Sequence, residues 1–124
     1  MNKREQPLNI VHASMSDTGL QRKENQDAFG RFSDGESLMS EKGQLFIVAD
    51  GMGGHERGSE ASTMAVKTVK EFYSQTSLPI PLSLKRSVEE ANRVIYERAQ
   101  QTSEIVRMGT TCVALLLTGR SAYI

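Results

Sequence analysis

The apolar run Leu45-Phe46-Ile47-Val48-Ala49 opens directly into Asp50-Gly51-Met52-Gly53-Gly54-His55, and this junction restricts the fold more tightly than any other stretch of the chain. Five successive apolar residues read as a buried strand, which predicts Asp50 at its exposed end, where sites are commonly built. Glycine has no Cβ, so the backbone here can approach an ion or a phosphate closely. The plainer reading of Asp-Gly and Gly-Gly is a turn between two elements. A two-residue hairpin, however, would continue into a second strand pattern. Instead Glu56 to Gln75 carries Ala61, Met64, Ala65, Val69, Phe72 and Tyr73 at spacings of three and four, which predicts a helix. The glycine loop therefore joins a strand to a helix.

Two nucleotide-binding signatures also place glycines at such a junction, and neither fits. The dinucleotide pattern G-x-G-x-x-G requires glycine where Glu56 stands, and the phosphate loop requires lysine where Ser59 stands. Glu56 would also bring negative charge towards a bound phosphate.

Elsewhere, Leu8 to Met15 has strand-like composition, Ser16 to Gly19 reads as a turn, and Gln26 to Phe32 as a strand closed by Ser33-Asp34-Gly35. Residues 33–43 are polar and turn-rich, and Gly43 to Ala49 forms the next strand. Pro79 and Pro81 interrupt helicity after Gln75. Ser83 is placed to cap a second helix through about Gln101, with Leu84, Val88, Ala91, Ile95 and Ala99 on one face. Thr110 to Leu117 and Ser121 to Ile124 return to strand character. Strands, two helices, then strands predict an α+β fold with the helices on a sheet face.

With 124 residues the chain is the size of one domain. Its 15 basic and 15 acidic residues balance, which gives no footprint for nucleic acid or an anionic membrane surface. The acidic excess lies in the half that bears the glycine loop. The charged N-terminus has no apolar segment behind it, and Cys112 to Leu117, the longest apolar run, is far too short to span a bilayer. Cys112 has no second cysteine to pair with and reads as a small buried hydrophobe. These features predict a cytoplasmic protein.

Upstream of the loop, Ser16-Asp17-Thr18-Gly19-Leu20-Gln21-Arg22-Lys23-Glu24-Asn25-Gln26-Asp27 sets an arginine five residues before an aspartate. The planar donor fork of arginine matches phosphate oxygens, although an isolated Arg22 would equally be a solvated surface residue. The ordered set D-x-G-x-x-R-x-x-N-Q-D, then D-G-M-G-G-H, then Met108-Gly109-Thr110-Thr111 before a strand resembles the PPM-type metal-dependent protein phosphatases, the 2C class, in their bacterial form. The resemblance runs from about residue 14 to residue 124.

The resemblance implies a β-sandwich flanked by helices, of which this chain would hold the N-terminal half. It also implies two Mn²⁺ or Mg²⁺ ions and hydrolysis of phosphoserine and phosphothreonine on proteins by a metal-activated water, opposing a Ser/Thr kinase. By position, Asp50 matches the aspartate bridging both metals, Gly51 the glycine whose carbonyl is a ligand, Asp27 a supporting acidic position, and Arg22 the phosphate-binding arginine. His55 has two readings, an acid for the leaving oxygen or a structural hydrogen bond, because Met52 stands where other branches have histidine. Gln26 replaces a frequent glutamate, which would remove a charge from the metal neighbourhood, and Gly109-Thr110-Thr111 matches a strand entrance with an architectural role.

The aspartates stand at positions 17, 27, 34 and 50, with none after the loop. The family's downstream Gly-Asp-Ser-Arg segment and later metal-binding aspartates do not occur within the 124 residues. Asp50, Gly51 and Asp27 alone leave two cations short of protein charge. The expectation is therefore a phosphatase domain represented by a truncated, weakly active or inactive chain. The alternative is a noncatalytic remnant acting as an interaction module.

Overall fold

In the computed structural model, which describes residues 9–35, 40–54, 56–101 and 107–124, one antiparallel sheet carries two helices on a single face. The elements are β1 (Asp27–Ser33), β2 (Gln44–Met52), α1 (Arg57–Gln75), α2 (Ile80–Gln100), β3 (Gly109–Thr110), β4 (Val113–Thr118) and β5 (Ser121–Tyr123). The strand order is β1-β2-β4-β5, and β3 pairs with the far end of β2. This is the predicted α+β arrangement.

Alternation along β2 decides what is buried. Leu45, Ile47 and Ala49 are sealed beneath α1, joined by Ala114 and Leu116 of β4. Each large aliphatic side chain fully buried there contributes about 1.5–3 kcal/mol. From α1 come Ala61, Ala65, Val69 and Tyr73, one residue per turn along a single stripe. The other face of the sheet remains open: Val48 is 57% exposed, so the apolar run is covered on one side only. On that outer face the His12 ring meets the edge of Phe46 at 5.2 Å, and the Arg31 guanidinium lies 6.0 Å from the same ring.

Four expectations need correction. No strand forms over residues 9–15: Val11 and Met15 are exposed, and no neighbouring strand among the described residues takes their hydrogen bonds. The second helix starts at Ile80, not after Ser83. Pro81 sits in its first turn, where a missing N–H costs nothing, and the Ser83 hydroxyl donates back to the Leu78 carbonyl at 2.6 Å. The buried stripe of α2 runs through Ser83, Leu84, Ser87, Ala91 and Ile95, while Val88 is 39% exposed. Ser87 can be buried because its hydroxyl donates to the Ser83 carbonyl at 2.6 Å. Finally, the strand predicted over residues 110–117 is broken at Thr111 and Cys112.

The C-terminal end of α1 is held by Lys42. Its Nζ donates to the carbonyls of Tyr73, Ser74 and Thr76 at 2.9, 2.9 and 2.5 Å, and the Tyr73 hydroxyl returns a bond to the Lys42 carbonyl at 2.7 Å. A cation there satisfies carbonyls that have no partner within the helix and faces the negative end of its dipole. Burial, with Asp34 nearby, pushes the Tyr73 hydroxyl up to about 12, so it stays protonated and able to donate. Among the described residues no helix is long and apolar enough to cross a membrane.

Candidate metal and phosphate site

Register brings Asp27 and Asp50 face to face. The two residues are direct partners across β1 and β2, and both point to the open side of the sheet, where both are exposed. The Asp50 backbone bonds away from β1: its N–H donates to Thr111 Oγ1 at 3.1 Å and its carbonyl accepts from the Thr111 N–H at 2.9 Å. Towards β1, the neighbouring Gly51 N–H donates to the Gln26 carbonyl at 3.0 Å. Asp27 and Asp50 are therefore a close, non-hydrogen-bonded pair, with Cβ atoms about 4.5–5.5 Å apart. Like charges in that position destabilise a sheet. Among the described residues neither carboxylate has an ion-pair or hydrogen-bonded partner on its side chain. Lys67 and Lys70 share a groove of about 400 Å³ with Asp27 without pairing to it.

Gly51 follows at the end of the pair, and its lack of a side chain is required. A Cβ there would fall on the Gly58 carbonyl, and one on Gly58 would fall on the Gln26 side chain. This close approach brings the start of α1 against the end of β2. Gly58 has no distinguishing signal in the sequence, because only the packing shows that a side chain has no room.

The upstream motif divides into residues that build the loop and residues that it displays. Asp17 Oδ1 accepts the Gly19 N–H at 2.6 Å, closing the predicted turn, in which Gly19 adopts φ 75°. Asn25 donates to Ser16 Oγ at 2.6 Å and accepts the Asp27 N–H at 3.0 Å, which fixes the entry into β1. Gln26 points to the helix side, opposite Asp27, and its Nε2 donates to the Gly53 carbonyl at 2.9 Å. Its side-chain amide thus organises the glycine loop from the far face of the sheet. Its carbonyl also accepts the Ser62 hydroxyl at 2.6 Å, which ties α1 to the same corner.

Arg22 lies in the exposed loop before β1, with no hydrogen bond or ion pair among the described residues, and no contact links it to either aspartate. The structure thus brings Asp27, Asp50 and Gly51 together and leaves Arg22 presented nearby in sequence. His55 lies outside the described residues. At the start of α1, Glu60 binds Arg57 at 3.1 Å and Arg98 of α2 at 2.5 Å. The Arg98 hydrogen bond, with the charges of Arg98 and Arg57, outweighs partial burial and holds the Glu60 carboxyl below its ordinary value. Cys112 is half-buried against the core, and burial pushes its thiol up, which disfavours the reactive thiolate.

Hard divalent cations take about six oxygen ligands. Two opposed carboxylates, neither of them ion-paired among the described residues, next to a glycine in extended backbone, fit the anchoring side of such a site. Among the described residues no group of three or more His, Cys, Asp or Glu side chains could hold an ion, so the full ligand set is not formed by them alone.

The chain is similar to known protein phosphatases. A serine/threonine phosphatase, stp, of Listeria innocua is 34% identical over 113 residues, covering 86% of this chain and 43% of the relative. The crystal structure of the serine/threonine phosphatase Stp1 from Staphylococcus aureus superposes with a TM-score of 0.74 at 30% identity, covering 98% of this chain and 48% of that one. The catalytic domain of the serine/threonine protein phosphatase PstP, in complex with 2 manganese ions, gives a TM-score of 0.68 at 28% identity, covering 86% and 43%. The chain thus spans less than half the length of the relatives it matches. The protein phosphatase 2C family profile matches residues 20–124, from the loop bearing Arg22 to the last residue of the chain, and the chain belongs to that family.

Proposed function

We propose that this chain is part of a metal-dependent phosphatase acting on phosphoserine and phosphothreonine in proteins, with two Mn²⁺ or Mg²⁺ ions as cofactors. The observation that carries this reading is the pair of carboxylates Asp27 and Asp50, without partners among the described residues and opposite one another beside Gly51. The manganese ions bound by the PstP catalytic domain support the choice of metal.

In this reading Asp27, Asp50 and the Gly51 carbonyl hold the cations, which when bound supply Lewis acidity and activate water. Arg22, without a hydrogen bond or ion pair among the described residues, receives the phosphoryl group with its planar fork. Water donates the oxygen that ends on phosphate, the P–O bond to the serine or threonine breaks, and the departing oxygen takes up a proton, a step open to His55. The substrates imply an opposing Ser/Thr kinase, and the site of action is the cytoplasm. A second reading, a noncatalytic module that binds phosphoproteins through Arg22, draws on the lack of a third acidic or histidine ligand among the described residues.

The test is hydrolysis of a phosphothreonine peptide in Mn²⁺. At most weak turnover by the wild type, and its loss in Asp50→Ala, are expected. Unchanged turnover in Asp50→Ala overturns the site assignment. Binding of the peptide without turnover, abolished by Arg22→Ala, selects the noncatalytic module.

A further inference from the structure

The Thr110-Thr111 pair closes around the backbone of one residue, Asp50. Thr111 Oγ1 accepts the Asp50 N–H at 3.1 Å, and the Thr111 N–H donates to the Asp50 carbonyl at 2.9 Å. Thr110 Oγ1 reaches the same carbonyl at 3.0 Å and the Thr111 carbonyl at 2.7 Å. In a regular antiparallel ladder the Asp50 N–H would go to the Thr111 carbonyl. Here a side-chain hydroxyl takes its place, and the strand that would run on from β3 into β4 is interrupted at this point.

Threonine is common in strands because its branched side chain suits a pleated surface, and for most threonines that is sufficient explanation. It does not explain this pair, since valine would serve equally well for packing but offers no acceptor to the Asp50 amide. We infer that Thr111, assisted by Thr110, is a positioning residue that fixes the peptide of Asp50 so that its carboxylate meets the cations in one orientation. The inference rests on the reading of Asp50 as a metal ligand. The clamp acts from the β3 side, while Asp27 faces Asp50 from the β1 side, so the carboxylate pair is set from both flanks of β2. Residues that orient metal ligands typically alter affinity 10–100-fold when changed, and an exposed clamp that water can partly replace belongs at the lower end, about tenfold.

The experiment titrates Mn²⁺ alone into the protein as its gene encodes it, by calorimetry, beside amide hydrogen exchange at Asp50 in metal-free buffer. Thr111→Val is expected to weaken Mn²⁺ binding about tenfold and to speed Asp50 exchange. Thr111→Ser, which keeps the hydroxyl, is expected to restore both, and Thr110→Val to show a smaller loss. Wild-type affinity in Thr111→Val, with binding lost in Asp50→Ala, overturns the clamp and leaves the site intact. Equal weakening in Thr111→Ser and Thr111→Val also overturns it, because the hydroxyl then has no part. Wild-type affinity in Asp50→Ala instead overturns the metal assignment itself. Should Thr111→Val not fold, Thr111→Ala against Thr111→Ser gives the same comparison.

Discussion

If Asp27 and Asp50 face each other to receive cations, neutralising one of them should strengthen the metal-free fold while weakening the metal-bound one. The change Asp27→Asn tests this with little collateral damage, because the Asn25 side chain bonds the backbone N–H of residue 27 and not its carboxylate. At about 5 Å, two unit charges repel by about 0.8 kcal/mol in a water-like dielectric and about 3 kcal/mol at an effective value near 20. Both groups are exposed and Lys67 and Lys70 are close to Asp27, so the lower figure applies. A gain of about 1 kcal/mol corresponds to a melting point raised by about 4 °C for a chain of this size. In Mn²⁺ the order should reverse: the wild type gains about 2.7 kcal/mol at a hundred times its dissociation constant, and the variant gains much less. Thermal melts in chelator and in Mn²⁺, each at low and high salt, read all of this, and 1 M salt should shrink the metal-free difference. A metal-free Asp27→Asn protein that melts at or below the wild-type temperature would refute the reasoning, whatever its activity.

Two further outcomes follow from the packing. Lys42→Met keeps the apolar stem but removes three hydrogen bonds to the end of α1. Since those carbonyls can turn to water, the cost should be about 2 kcal/mol, read as a fall of about 8 °C in melting point; a fall within error would show that the cap contributes nothing. Glu60 has a folded value below its unfolded 4.5, so its ion pairs stabilise the fold above that pH and are lost as pH falls through the folded value. Glu60→Gln should therefore be less stable than wild type at pH 7 and show a shallower acid loss in melts from pH 7 to pH 3, and parallel curves would contradict this.

Much of this site could be read without coordinates because it is written in local terms. An apolar run ending in Asp50, glycines after it and helical spacing from Ala61 to Tyr73 name a strand, a loop and a helix in that order. Arg22, Asp27 and Asp50 stand out for the same reason: their chemistry is in their side chains, and the motif spacing is short. Strand and helix limits moved by a few residues where local rules compete. Pro81 marks an interruption in the sequence, yet its place in a first turn is one that a helix tolerates.

What local chemistry cannot fix is pairing. Nothing within either segment says that Asp27 lies opposite Asp50, that Gln26 turns to the helix side, or that Gly58 must be bare. Likewise Ser87, not Val88, enters the core because the neighbouring helix and sheet select which stripe is covered. The hydroxyl of Thr111 meets the amide of Asp50 across a separation of 61 residues. Sequence therefore determined most of the elements, though not the strand expected over residues 8–15, and which side chains stand out as candidates for the chemistry, since periodicity and residue type act over a few positions. Tertiary structure alone decided which carboxylates oppose each other and what holds them there, since register and burial depend on segments that meet only when the chain has folded.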